Sequence, residues 1–115
     1  MLTFMEAIAR QEGFLVPGSL PNRRNNPGDI EDGPFAQANG ALPSDGNRFA
    51  AFPDSATGYG AMRALLTKHY LGLTIEEALN KWAPPVENNV SAYLSNVLKW
   101  TGMQSTDVLT EENIG

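Results

Sequence analysis

Thr3-Phe4-Met5-Glu6-Ala7-Ile8-Ala9-Arg10-Gln11-Glu12-Gly13 is the stretch from which the fold is read. Thr3 and Glu6 have the T-x-x-E spacing of a capping box, in which the threonine hydroxyl accepts a first-turn N–H and the glutamate reaches back to the cap. A helix is therefore predicted to start at Phe4. Gly13 takes positive φ without a Cβ penalty and supplies its stop, which puts Glu12 in the last turn. Residues 4, 8 and 12 share one face, so the stripe that carries Phe4 and Ile8 inward carries Glu12 with it. The negative end of the helix dipole and partial burial both favour the protonated carboxyl and raise its pKa. A carboxylic acid that keeps its proton near neutral pH is what a general acid for glycoside cleavage has to be. A solvated charge at a helix end is the plainer reading of the same residue, and the rest of the chain bears on the choice.

The 115 residues suffice for one core and hence one domain, residues 1–115. Hydrophobic residues at 42% and charged residues at 18% argue against disorder. The net charge of -5, with only eight scattered Lys and Arg, weighs against nucleic acid as a partner. Without cysteine there is neither a disulfide framework nor thiolate chemistry. His69 alone cannot build a histidine metal site, and no acidic cluster has calcium-loop spacing, so neither metal nor cofactor is expected. The first residues show no basic segment followed by an apolar run, so no signal peptide is expected, and no stretch approaches the length of a membrane span. The expectation is a soluble protein that works as a monomer without membrane insertion.

Phe14 to Pro21 is an apolar connector broken by two prolines and a glycine. In Asn25-Asn26-Pro27-Gly28-Asp29 that follows, proline presets φ at the second turn position and glycine is expected to take positive φ at the third. A rigid polar turn is the plain reading. The sharper one makes Asn25 and Asn26, with Arg24 beside them, a surface that hydrogen-bonds hydroxyl and N-acetyl groups. Residues 28 to 52, rich in Gly, Pro, Asn and Asp, are predicted to form a small irregular antiparallel hairpin region, so that 14–53 is loop and hairpin. From residue 54 the chain is helical. Asp54 or Ser55 caps a segment through Tyr59, Met62, Leu65, Leu66 and Tyr70 that stops by Gly72. Thr74-Ile75-Glu76-Glu77 is a second capping box opening a helix that ends at Ala83-Pro84-Pro85, and a third segment follows Asn88-Asn89 and stops at Gly102. Residues 105 to 115 are read either as one more short helix or as a start that does not continue. His69 is read as a core or boundary residue, since no nucleophile accompanies it. Trp82, Tyr93 and Trp100 are read as core aromatics unless a cleft exposes them to a sugar ring.

On these residues the chain resembles the lysozyme-like superfamily, and within it the small phage and prophage proteins with an RNNPG-type motif. Such proteins are described as virion structural proteins or as peptidoglycan-degrading muramidases and lytic transglycosylases. The matching pieces are Glu12-Gly13, Arg24-Asn25-Asn26-Pro27-Gly28, Phe52-Pro53-Asp54 with Ala56, Gly58 and Tyr59, and Gly72-Leu73-Thr74 to Trp82-Ala83-Pro84-Pro85 with Glu87-Asn88-Asn89. The resemblance implies a mainly α fold with a minor hairpin, in which the first helix delivers a glutamate to a cleft. It also implies that Glu12 protonates the glycosidic oxygen between N-acetylmuramic acid and N-acetylglucosamine. Asn25, Asn26, Tyr59 and Arg24 are the expected substrate contacts, and peptidoglycan glycan strands, with other virion proteins, the expected partners. Made in the cytoplasm, such a protein reaches the wall or periplasm inside a virion or through a membrane lesion. The family-like turn more often has Asn where this chain has Asp29.

A hydrolase needs a second carboxylate about 5 Å away if retaining and about 6.5–9.5 Å away if inverting. Asp29, Glu31, Asp32, Asp45 and Asp54 are the candidates, Asp29 first among them. A lytic transglycosylase, as the resemblance describes it, needs only the one acid, because the muramyl C6 hydroxyl replaces water. The rival reading is a non-catalytic virion structural or wall-binding module on the same fold. The two part at Glu12: a salt bridge to Arg10, Arg23 or Arg24 would disable it as an acid, whereas a place on a cleft floor beside Asn25, Asn26 and Tyr59 would fit catalysis.

Overall fold

The computed structural model covers residues 1–115 and is mainly helical, with α1 (Phe4–Gln11), α2 (Leu20–Arg23), α3 (Pro34–Ala38), α4 (Ser55–His69), α5 (Ile75–Trp82) and α6 (Val90–Thr101). The longer helices begin where local chemistry puts them. In α1 the Glu6 N–H donates to Thr3 Oγ1 at 3.1 Å and the Thr3 N–H to Glu6 Oε1 at 2.9 Å. Thr74 and Glu77 repeat the box at the start of α5. Asp54 caps α4 by accepting the Thr57 N–H at 2.8 Å, and Asn89 caps α6. Gly102, at φ 75°, ends α6 in the left-handed conformation that costs glycine nothing.

One hydrophobic core joins these elements. Phe4 and Ile8 of α1, Met62 and Leu66 of α4, Leu79 of α5 and Val97 of α6 are all fully buried in it. Each such side chain contributes about 1.5–3 kcal/mol of transfer free energy relative to exposure. α1 packs against α6 and α4, and α5 against α6. This arrangement fixes the face of α6 that the end of α1 meets.

The region from 28 to 52 is not the hairpin that its composition suggests. A single antiparallel bridge joins Glu31 and Phe49, flanked by hydrogen bonds from Asp32 N to Arg48 O and from Ala50 N to Ile30 O. The chain between them folds into α3. Pro34 at its first turn lacks the N–H that a ladder would need and presets a helical φ, and Ala36 drops into the core. Asn26 does the work of a ladder from inside. Its side chain is fully buried; Nδ2 donates to Ile30 O and Ala50 O, both at 2.9 Å, and Oδ1 accepts the Ile30 N–H at 2.9 Å.

The turn preceding this region also differs from expectation. Gly28 does not take positive φ; Asn25 (φ 52°) and Asp29 (φ 51°) do. Gly28 serves close packing instead, since a Cβ there would lie 3.1 Å from the Trp82 ring and 3.3 Å from Met62 Cγ. After α6 there is no further helix. Residues 107 to 109 pair with the segment before α5 through Ile75 N to Asp107 O, Gly72 N to Leu109 O and Leu109 N to Leu73 O. Thr110 and Asn113 exchange backbone-to-side-chain hydrogen bonds around one turn, and Ile114 enters the core. No helix is long and apolar enough to cross a membrane.

Candidate functional site

Glu12 forms the C-cap of α1, with helical backbone angles and its N–H still bonded to Ile8 O at 2.9 Å. Gly13 (φ 88°) then turns the chain away, and Phe14 N–H closes back on Ala9 O at 3.0 Å. The Glu12 carboxyl is held on the face that Phe4 and Ile8 bury. Because α1 packs on α6, that carboxyl meets Tyr93, which is 3% exposed and donates its Oη–H to Glu12 Oε2 at 2.6 Å. The carboxyl of Asp29 also hydrogen-bonds the Glu12 carboxyl.

Burial is the largest influence on Glu12 and raises its pKa; the Tyr93 hydroxyl opposes this, while the hydrogen bond and negative charge of Asp29 add to it, and the result is about 7. Asp29 is also raised, first by burial, but the Glu12 hydrogen bond and the positive charge of Arg48 pull it back. Near neutral pH Glu12 therefore still carries a proton in a substantial share of molecules. The Tyr93 phenol is raised by burial and by the two carboxylates and stays a neutral donor.

Glu12 and Asp29 line a cleft of about 750 Å³, the only one on the molecule. One wall is apolar, with the half-buried rings of Trp82 and Phe49 and the exposed Val86. The Trp82 ring stands edge-on to Tyr70 at 5.4 Å between centroids and rests against the Gly28 backbone. Charged side chains line the same cleft. Arg48 Nε donates to Glu31 Oε1 at 2.7 Å, and its Nη2 lies 3.5 Å from Glu87 Oε1. Lys81 Nζ donates to His69 O at 2.6 Å and stands 4.6 Å from the Tyr70 ring centre. No group of three or more His, Asp or Glu side chains is placed to hold a metal ion.

The residues singled out in the sequence divide sharply. Glu12 and Asp29 come together in the cleft, with Glu31 on its rim. None of the four expected substrate contacts lines it. Asn26 is inside the protein with its amide fully used, and Asn25 donates Nδ2 to Phe52 O at 3.1 Å. Arg24 pairs with Asp45 through Nη2 at 2.9 and 3.0 Å and donates Nε to Phe49 O, which fastens the loop. Tyr59 stands edge-on to Phe14, 5.6 Å between centroids. Arg24, Asn25 and Asn26 fasten the turn that presents Asp29, and none of the four lines the cleft. None of the three arginines that could neutralise Glu12 does so: Arg10 lies over the Trp100 ring at 4.3 Å, Arg23 bonds Gly18 O, and Arg24 is taken by Asp45. Asp54 is consumed as the cap of α4, and His69 is exposed outside the cleft. Tyr93, Arg48 and Lys81 carried no sequence signal for the site. Only the aromatic character of Tyr93, at a helical position otherwise read as core, hinted at a buried hydroxyl in need of a partner. No protein-family model matches the chain, and no curated protein matches it.

Proposed function

We propose that this protein cleaves peptidoglycan glycan strands on a lysozyme-like scaffold, with Glu12 as the general acid at the bond between N-acetylmuramic acid and N-acetylglucosamine. One observation carries this reading. A half-buried carboxyl with a pKa of about 7 and no cationic partner lies in the only cleft, facing an aromatic wall on which a sugar ring can stack. The protonated carboxyl delivers its hydrogen to the glycosidic oxygen as the C1–O bond breaks, and the resulting carboxylate takes a proton from the group that attacks C1.

In this reading the muramyl C6 hydroxyl, not water, attacks C1. Asp29 is engaged by Glu12 in a hydrogen bond and in this reading does not attack C1. Glu31 and Glu87 are tied to Arg48. Glu12 is left as the one free acid, and the product is a 1,6-anhydromuramyl end. Glycan strands are the partner in this reading, reached at the wall or periplasm from a virion or through a membrane lesion.

Digestion of purified peptidoglycan by the wild type and by Glu12→Gln, with circular dichroism to establish that both are folded, tests the proposal. Loss of the proton at constant shape should lower cleavage about 100- to 10,000-fold. Mass spectrometry of the wild-type products should find anhydromuramyl ends. Cleavage by Glu12→Gln at the wild-type rate removes Glu12 from the chemistry. A wild type that binds walls of several compositions and cleaves none is a wall-binding or virion structural module.

A further inference from the structure

Two half-buried carboxyls in direct contact cannot both be ionised at low cost, and a hydrogen bond between them requires a proton on one. The second one is placed by the turn. Asp29 sits at φ 51°, the left-handed region that Asp and Asn enter more readily than other side-chain-bearing residues. That conformation directly follows Gly28, whose lack of a side chain lets the Trp82 ring close over the turn. α6 contributes the Tyr93 hydroxyl at 2.6 Å from Glu12 Oε2. This position is kept although Tyr93 is nearly inaccessible and has no other side-chain partner.

We infer that Asp29 and Tyr93 are positioning residues that make Glu12 one half of a carboxyl pair holding a single proton, Tyr93 fixing Glu12 Oε2 and Asp29 receiving the hydrogen that the Glu12 carboxyl has to give. The inference rests on the proposed role of Glu12 for its meaning in catalysis, but the pair itself does not depend on the substrate. At rest the proton is stored on the Glu12–Asp29 hydrogen bond. A glycosidic oxygen entering the cleft takes that hydrogen bond over from Asp29, and Asp29 is left as a carboxylate. Asp29 thereby discourages Glu12 from losing its proton to solvent before substrate arrives. The other charged groups around the pair are few. The positive charge of Arg48 pulls the pKa of Asp29 down, less than the Glu12 hydrogen bond does. Glu31 and Glu87 are held by Arg48, and Lys81 is bound to His69 O. From α6 only the neutral Tyr93 hydroxyl reaches Glu12.

The two positioning residues act on Glu12 with opposite sign, which separates this device from a merely structural role. Carbon-13 NMR of the Glu12 and Asp29 side-chain carboxyls, followed from pH 3 to pH 10, reads it without any substrate. In the wild type both carbons should register both steps of a shared titration. Asp29→Asn should lower the Glu12 midpoint by about one pH unit, since a carboxylate neighbour becomes an amide that can donate to ionised Glu12. Tyr93→Phe should raise it, because the donor that favours the carboxylate is gone. Asn adopts the left-handed conformation well, and Asp29→Gly, which adopts it freely, serves as a second variant if Asp29→Asn does not fold. A Glu12 midpoint unmoved by the loss of Asp29, or moved in the same direction by both changes, overturns the pair. The basic limb of glycan cleavage, measured in parallel, should move with the NMR midpoint. If the midpoints shift as stated and no form cleaves glycan, the pair stands and the glycosidase reading falls. If the wild type cleaves but the midpoints stay put, the glycosidase reading stands and the pair falls.

Discussion

Glu12 is protonated in the folded chain over a pH range in which the unfolded chain would ionise it, from its ordinary value of 4.5 up to about 7. The folded state binds more protons across that window, so this residue's contribution to stability is fully present below about pH 4.5 and is lost as pH rises through 7. Above that, folding keeps a charge partly out of water. Glu12→Gln preserves the shape and the acceptor for Tyr93 while removing the charge. It should be more stable than the wild type at pH 8 by about 1–2 kcal/mol, a shift-derived figure reduced for the carboxyl's partial contact with solvent, and no more stable at pH 4. Urea unfolding at the two pH values measures this, and equal stabilities at pH 8 would mean that the charge is not costly where it sits. A residue kept at the expense of stability is expected of an active-site acid. The sequence located Glu12 because helix capping is local. It could not rank Asn25, Asn26 and Asp29, three polar residues on one short turn whose fates differ only by which way the folded turn points each side chain.

The helices follow from side-chain and backbone bonds spanning three or four residues, and these were legible. The two T-x-x-E boxes, Asp54 and Gly102 stand where the spacing put them. What an element touches is another matter, and the two glycines of α4 make the point. Gly58 lies against the turn: a Cβ there would collide with the Asn25 carbonyl oxygen and come within 2.9 Å of Pro27 Cδ. Gly60, two residues on, has nothing within 4 Å of the same position. Gly58→Ala should therefore destabilise by about 3 kcal/mol through overpacking, while Gly60→Ala should stabilise by about 0.5–1 kcal/mol through helix propensity. Thermal unfolding of the two variants side by side checks both signs. If they behave alike, α4 does not rest on the turn as described. The expected hairpin failed at this scale too. Alternation and turn residues around 28 to 52 describe an extended chain equally well whether it pairs in strands or is tied to a buried amide, and Asn26 chose the second.

Across the molecule, the last residues are part of the core and not an appendage. Ile114 is fully buried, and its carbonyl accepts the Met5 N–H at 2.9 Å, so the end of the chain closes over the start of α1 while Glu12 caps the other end. Ile114→Ala should cost about 2–5 kcal/mol, measured by denaturant unfolding, and a change below about 0.5 kcal/mol would show that the tail is not packed. Periodicity did not reveal this, because one apolar residue after a turn has no period. By itself the sequence determined that the chain is mainly helical, where the principal helices begin, and that a glutamate caps the first of them, since these depend on interactions a few residues long. Tertiary structure alone decided what that glutamate meets. The Tyr93 hydroxyl is 81 positions away and Asp29 arrives on a separate turn, and both reach Glu12 only because apolar burial packs α1 against α6 and closes Trp82 over Gly28. No local pattern encodes such a meeting, for the core that enforces it exists only when all the elements are in place.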